Sequence, residues 1–269
     1  MLKYKSLAYF GGKEGEVGDW IASMLPYRHA YVETHGGMAK ILLKRVPSKV
    51  ELINDLDLRI ILFWRVLRER KDELVHLVRH TPHSREEFYE ARQRIREVDW
   101  STRDDLLRAW DIYVVLQQSF QHSLRLHRTG WRRSFTTDPR TPSHMADRLD
   151  HLVKRIEHVQ LENIDALELL ERTKDVDDIT IYVDPPYYGV ARYDTHLDDP
   201  TDRGDLVRML QSQKGIVAVS GYGTEWDDLG WIRRAFRTKT AMVKNPELKN
   251  REEILWLNCD PKGENLTLL

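Results

Sequence analysis

The chain has 269 residues, of which 41% are hydrophobic and 32% are charged, so it can bury one sizeable core and keep a soluble surface. Its single cysteine, Cys259, excludes a disulfide framework and a cysteine-rich zinc site, and it fits a reducing, cytoplasmic location. The formal net charge of −1 excludes a surface that is basic throughout, but leaves room for a local basic patch. The start MLKYKSLAYF does not look like a signal peptide. Since no run of about 18 apolar residues occurs, no membrane span is expected.

Short apolar runs separated by glycines characterise the first part of the chain. The runs AYVE (30–33) and VELIN (50–54) have the composition of buried strands. Residues 38–44 lie between them and predict a helix, and Gly36 and Gly37 lie at the turn into that helix. The pattern therefore predicts a strand, loop, helix and strand in succession, as in an α/β fold.

Helical periodicity dominates from about residue 59 to residue 157. Apolar side chains recur at helical spacing around Trp64, around Trp110 and from Met145 onwards. Between the last two stretches lies a basic segment, 122–142, which carries five arginines and a single acid. The sequence therefore predicts a mostly helical insert over residues 61–154. The core of the protein would then consist of residues 1–60 and 155–269.

Strand and helix patterns alternate again after residue 158. ITIYV (179–183), GIVAVS (215–220) and EILWLN (253–258) are predicted strands. RGDLVRMLQ (203–211) and EWDDLGWIRRAF (225–236) are predicted helices. Because strands and helices alternate, we predict an α/β fold with a mainly parallel sheet and helices on both faces.

Polar residues follow the predicted strands, and the carboxyl ends of parallel strands meet at one edge of a sheet. The loop after the first strand contains Glu33, His35, Gly36 and Gly37. Its glycines would let a ligand approach the backbone closely. After the second strand, Asp55 could accept hydrogen bonds from a pair of ribose hydroxyls, with Asp57 as the competing acid. The pattern indicates a nucleoside-bearing cofactor, although a tight turn alone would also account for the glycines.

The segment DPPY at 184–187 directly follows the predicted strand ITIYV. Its two prolines fix an extended backbone, so the Asp184 carboxylate and the Pro185 carbonyl would be held as neighbouring acceptors. The ring of Tyr187 offers a face for stacking. Such a site would bind the exocyclic amine of adenine or cytosine and make its nitrogen a better nucleophile. The residues alone do not choose between the two bases.

Several segments, in this order, resemble motifs of the Dam-like, D12 class of adenine-N6 DNA methyltransferases. YFGGK (9–13) resembles the opening motif, and YVETHGGMAKILL (31–43) is similar to the cofactor motif. INDLD (53–57) resembles the segment with the ribose-binding acid, and ENIDALELL (162–170) the segment that frames the adenine of the cofactor; DPPY matches the catalytic motif. The family pattern in the cofactor motif is nearer EPFGGGG. The chain departs from it at Thr34, His35, Met38 and Ala39.

The resemblance implies a Rossmann-like methyltransferase fold with a target-recognition insert. It further implies S-adenosyl-L-methionine as cofactor, and double-stranded DNA as the partner from which an adenine is flipped out and methylated at N6. The implied catalytic residues are Asp184, Pro185, Pro186 and Tyr187. The implied cofactor-binding residues are Phe10, Gly11, Gly12, Lys13, Glu33, His35, Gly36, Gly37, Asp55 and Asp165. Lys13 could instead contact the flipped nucleotide, and Asp165 could instead cap the following helix.

The basic segment 122–142 is the predicted DNA contact, because aromatic residues interleave with its arginines. Its candidate residues are Arg125, Arg128, Arg132 and Arg133. The histidines show no metal-binding spacing, so no metal site is expected. A cognate restriction enzyme is a candidate partner, and the sequence leaves the oligomeric state open.

Other hypotheses fit part of the pattern. A methyltransferase acting on cytosine N4 or on an RNA base would need the same acceptors as an adenine enzyme. A DNA-binding protein with impaired catalysis would account for the altered cofactor loop. Protein glutamine methylation is disfavoured, since an asparagine usually leads the tetrapeptide in that class and Asp184 leads it here.

Overall fold

A computed structural model describes residues 4–9, 13–120, 122–124, 126, 129–133, 142–186, 203–237 and 252–261. Within these ranges the strands form one seven-stranded sheet. They are β1 (Ala30–Glu33), β2 (Val50–Asn54), β3 (Gln160–Glu162), β4 (Ile179–Val183), β5 (Ile216–Gly221), β6 (Ile232–Arg237) and β7 (Glu252–Leu257). The strand order is β3-β2-β1-β4-β5-β7-β6. The first five strands in this order pair in parallel, and β7 runs antiparallel to both of its neighbours.

Helices connect the strands and cover the sheet. They are α1 (Gly15–Met24), α2 (Leu58–Glu69), α3 (Lys71–His80), α4 (Arg85–Arg96), α5 (Asp105–Gln118), α6 (Pro142–Ile156), α7 (Ala166–Thr173) and α8 (Arg203–Gln211). Five of them, α2 to α6, follow one another between β2 and β3. Every helix in the described ranges is too short or too polar to cross a bilayer.

The sheet separates two apolar clusters, as the alternation of side chains along a strand requires. On one face, Ile181 of β4 packs in a cluster that also contains Leu170 of α7 and Leu210 of α8. On the other face, Tyr182 belongs to a cluster that includes the buried side chains of α2 to α6. The predicted α/β class, the mainly parallel sheet and the helices on both faces are therefore confirmed.

The prediction of a helix over residues 38–44 was wrong. Only Leu42–Lys44 form a single turn of 3₁₀ helix, and residues 38–41 before it are buried but not helical. Gly37 and Ala39 have φ angles of 48° and 50°, which a right-handed helix excludes. The φ of Ala39 costs about 1 kcal/mol, because its Cβ crowds the following carbonyl in this conformation. This is a position at which the D12 pattern has glycine, which lacks that Cβ.

The helix predicted over residues 225–236 was also wrong. A turn of 3₁₀ helix at Asp227–Leu229 ends at Gly230, whose φ is 68°. The chain then forms the edge strand β6, whose half-buried and exposed residues alternate. The apolar residues of this run, Ile232, Ala235 and Phe236, lie at helical spacing, but the run pairs with β7 along its whole length and forms a strand. Consequently β6 and β7 are antiparallel neighbours rather than parts of a helix-connected parallel sheet.

Candidate active site

The carboxyl edge of the sheet collects the polar residues that follow the parallel strands. Strands β1, β2, β4 and β5 all end at this edge, because they are parallel. The antiparallel strand β7 begins there, since Ile254 pairs with Gly221 at the end of β5. Glu253, the residue before Ile254, therefore lies near Asp184 and the other residues that follow β4 and β5.

Asp184 is held at this edge by a chain of hydrogen bonds from the sheet. The Ser220 hydroxyl donates to Asp184 Oδ1 at 2.7 Å. The buried Tyr182 hydroxyl donates in turn to Ser220 Oγ at 3.0 Å. The Asp184 side chain is about one-fifth exposed. Its carboxylate therefore reaches the edge of the sheet, while Ser220 holds Oδ1 in place. Pro185 is buried and Pro186 partly buried directly after it, and Tyr187 lies outside the described residues.

Lys13 is buried beside Asp184. Its Nζ lies 3.4 Å from Asp184 Oδ1 and 2.5 Å from Glu253 Oε1. Burial disfavours the charged ammonium, but the carboxylates of Asp184 and Glu253 outweigh it and raise the pKa of Lys13 above its ordinary value. The site therefore contains a lysine that stays charged at neutral pH, between two carboxylates.

The glycine loop after β1 is fixed on the end of β2. Gly36 N donates to Asn54 O at 2.7 Å, and a Cβ at Gly36 would come within 2.4 Å of the Ile53 side chain. Gly37 N donates to Asp55 Oδ2 at 2.8 Å. The close approach of the loop to β2 thus requires glycine at position 36, and it brings Asp55 against the backbone of the loop.

Asp55 and Asp57, the two acids after β2, have different environments. Asp57 caps helix α2 by accepting from Arg59 N, and it forms an ion pair with the Arg59 guanidinium at 2.6 Å. Burial raises the pKa of Asp55 to about 7, and the charge of Asp57 adds to this effect. Hydrogen bonds from the backbone N–H groups of Asp57 and Gly37 oppose the increase. Asp55 is therefore the acid that faces the glycine loop, and it titrates near neutral pH.

Glu33 and His35 lie in the same loop. Glu33 is buried and accepts hydrogen bonds from the Tyr31 hydroxyl at 2.9 Å and from Leu42 N at 2.5 Å. Burial raises the pKa of Glu33 to about 7. Burial lowers the pKa of His35 to about 4, although the charges of Asp184 and Asp165 oppose this shift. The His35 imidazole is therefore neutral at pH 7.

Asp165 lies in the segment 162–170, which is predicted to frame the adenine of the cofactor. Its carboxylate accepts a hydrogen bond from Leu167 N at 2.7 Å and caps helix α7. The cap that the sequence offered as the alternative role of Asp165 is therefore present, and its contact with the cofactor stays a prediction. The charge of Asp165 also acts on the imidazole of His35, which brings Asp165 into the same electrostatic environment as the loop after β1.

Sequence reasoning missed Ser220 and Glu253. Ser220 looks like an ordinary residue of a buried strand, and its contact with Asp184 appears only when β4 and β5 are aligned. Glu253 begins a predicted strand, and in a parallel sheet its position would be at the opposite edge. Ile232, Ala235 and Phe236 in IRRAFR have helical spacing, so this run carries no local signal for the antiparallel β6–β7 pair that places Glu253 at the site.

Part of the predicted DNA contact is described beside the end of α5. Residues Ser119 and Trp131 form an antiparallel bridge, which holds Phe120 with 71% of its surface exposed. Arg132 follows the bridge and its N–H donates to Gln118 O at 2.8 Å, and the next residue, Arg133, is exposed. Six predicted site residues lie outside the described ranges: Phe10, Gly11, Gly12, Arg125, Arg128 and Tyr187.

This strand order, with the glycine loop after β1 and an acid after β2 at one edge, is consistent with the Rossmann-like methyltransferase fold that the resemblance implied. The family model of the D12 class N6 adenine-specific DNA methyltransferase matches residues 9–224, which is more than half of the chain. The chain therefore belongs to this family and is a DNA adenine methyltransferase. Comparison with curated proteins finds no match, so this assignment rests on the family model.

Proposed function

We propose that this enzyme transfers the methyl group of S-adenosyl-L-methionine to N6 of an adenine that it flips out of double-stranded DNA. The observation that carries the proposal is the position of Asp184. Its carboxylate lies at the carboxyl edge of the sheet, is oriented by Ser220 and is followed by two prolines. The Asp184 carboxylate and the Pro185 carbonyl would be the two hydrogen-bond acceptors that an exocyclic amine requires.

The loop after β1 fits the implied cofactor. A Cβ at Gly36 would fill the space against β2, and Gly37 N–H is bound by the Asp55 carboxylate beside it. Asp55 is the acceptor proposed for the ribose hydroxyls, and Asp165 lies near the same loop. Two of the four departures from the D12 pattern, Met38 and Ala39, have side chains that are buried in the core. When bound, S-adenosyl-L-methionine would supply an electrophilic methyl group.

The residues after β4 would activate the target amine. The Asp184 carboxylate and the Pro185 carbonyl would accept hydrogen bonds from its two N–H groups, which directs the nitrogen lone pair away from conjugation with the ring. Tyr187 would stack on the flipped base and offset part of its unstacking cost, which is a few kcal/mol. Because Ser220 and Lys13 already fix Asp184, little reorganisation would be needed when the base arrives.

The helices between β2 and β3 would recognise the DNA. We propose that residues 61–154 form the target-recognition insert and that its basic segment, including Arg132 and Arg133, contacts the duplex. The exposed side chains of Phe120 and Arg133 beside the Ser119–Trp131 bridge support this proposal. Arginine side chains suit both phosphate binding and contact with guanine.

Transfer of a radiolabelled methyl group to unmethylated double-stranded DNA tests the proposed function. Nucleoside analysis of the product should give labelled N6-methyladenine. DNA that has first been methylated by the same protein with unlabelled cofactor should accept little label. Labelled N4-methylcytosine would contradict the choice of base, and the absence of incorporation into unmethylated DNA would contradict the function.

Cofactor affinity should increase about tenfold between pH 6 and pH 8, because Asp55 must be ionised to accept the ribose hydroxyls and its pKa lies near 7. Calorimetric titration with S-adenosyl-L-methionine would measure the change. In Asp55→Asn the part of the pH dependence due to Asp55 should disappear, whereas contributions from Glu33 and from the amino group of the ligand should remain. Equal pH dependence in both proteins would exclude Asp55 as the ribose acceptor.

The raised pKa of Asp55 has the opposite effect on folding. Between the ordinary pKa of an aspartate, 3.8, and about 7, the folded protein holds a proton on Asp55 that the unfolded chain has released. The contribution of Asp55 to the free energy of unfolding therefore decreases as pH increases through this range. Asp55→Asn should show a smaller loss of stability from pH 4 to pH 7 in chemical denaturation.

A further inference from the structure

Glu253 is a buried carboxylate in the candidate active site, although it lies outside the residues that the family model matches. It is the second residue of β7, and the antiparallel direction of that strand places it at the carboxyl edge of the sheet. Only 5% of its surface is exposed. A buried carboxylate costs free energy unless it is paired, and Lys13 provides the pairing charge.

Lys13 is bound more closely by Glu253 than by Asp184. The distance of 2.5 Å to Glu253 Oε1 corresponds to a short, charge-assisted hydrogen bond. The distance of 3.4 Å to Asp184 Oδ1 is longer than the usual range for such a bond. The same Asp184 oxygen accepts the Ser220 hydroxyl at 2.7 Å. The Lys13 ammonium is therefore hydrogen-bonded to Glu253 and lies at ion-pair distance from Asp184.

We infer that Glu253 is a positioning residue for methyl transfer, acting through Lys13; this rests on the proposed role of Asp184. While Glu253 is ionised, Lys13 keeps its short hydrogen bond to Glu253, and its charge orients the Asp184 carboxylate from ion-pair distance. Without the charge of Glu253, the Lys13 ammonium would move onto the Asp184 carboxylate. It would then compete with the amine of the target base for the same acceptor.

Glu253→Gln should therefore slow methyl transfer in a single turnover by about tenfold or more, with both substrates saturating. The dissociation constants for S-adenosyl-L-methionine and for DNA should change by less than about twofold, since Glu253 is expected to touch neither. Glu253→Asp, which keeps the charge, should recover most of the rate. Glu252→Gln is the matched control, because this neighbouring residue pairs with the exposed Arg237 at 2.6 Å. Its rate should equal that of the unmodified protein.

The outcomes separate this inference from the proposed function. Failure of the unmodified protein to methylate DNA would overturn the proposed function. An active protein in which Glu253→Gln behaves like Glu252→Gln would overturn the role of Glu253 alone. If thermal denaturation showed that the loss of rate in Glu253→Gln equals the fraction of that variant that is unfolded, the role of Glu253 would also be overturned.

The dependence on Lys13 is tested in the variant Lys13→Met. This variant keeps the acceptors Asp184 and Pro185. Adding Glu253→Gln to it should change the transfer rate by less than about twofold, because Glu253 acts through the lysine. A further tenfold loss in the double variant would overturn the inference. The double variant contains no unpaired Glu253 charge, so it stays informative if Glu253→Gln alone does not fold.

Discussion

Asp184→Ala should lower the rate of methyl transfer by about a thousandfold, while the protein remains folded. The loss follows from removing a preoriented acceptor at the point where charge develops on the target amine. Folding should be preserved, because Lys13 keeps its closer partner, Glu253, at 2.5 Å. The buried ammonium therefore does not lose its pairing charge when the Asp184 carboxylate is removed.

Single-turnover transfer of labelled methyl groups would measure this loss, and thermal unfolding would check the fold. Asp178→Ala is the matched control, since Asp178 lies immediately before β4 at the opposite edge of the sheet. Its side chain is 68% exposed and lies 3.9 Å from Arg28. Its removal should leave the transfer rate within about twofold of the unmodified value. Asp184→Ala at more than a tenth of that value would contradict the proposed mechanism.

The parallel part of the fold could be predicted from local sequence alone. AYVE, VELIN and ITIYV match β1, β2 and β4 residue for residue, since strands buried on both faces are continuous runs of β-forming residues. Given parallel strands, the residues that follow them must share one edge. The relation between Asp184 and the loop containing His35 follows from this rule.

The antiparallel end of the sheet could not be predicted in the same way, because the direction of a strand is not a local property. The helical spacing of apolar residues in EWDDLGWIRRAF predicted a helix before the last strand and gave no sign that this strand is antiparallel. Gly230 and Ala39 have positive φ angles, which an α-helix cannot contain. The spacing of apolar residues carries no information about these angles, so it predicted a helix at both places. The error about β6 and the omission of Glu253 therefore have one cause.

Arg155→Met should lower the free energy of unfolding by about 3–5 kcal/mol, because it would leave the buried Glu51 carboxylate without its charge partner. Arg155 lies in α6, and its guanidinium donates to both oxygens of Glu51 in β2, at 2.5 and 2.8 Å. It also donates to Leu42 O at 2.8 Å, at the end of the loop that follows β1. Urea denaturation would measure the change.

The double variant Arg155→Met, Glu51→Leu separates the cost of an unpaired charge from the strength of the pair. It should recover most of the lost stability, since apolar residues of similar size can replace a buried ion pair at little cost. Arg172→Met is the control, because the Arg172–Glu168 pair on α7 is about half exposed and should contribute less than about 1 kcal/mol. A double variant as unstable as Arg155→Met would show instead that the bond to Leu42 O matters most. Arg155 would then stabilise the fold by fixing the loop after β1, which is the loop proposed to bind the cofactor.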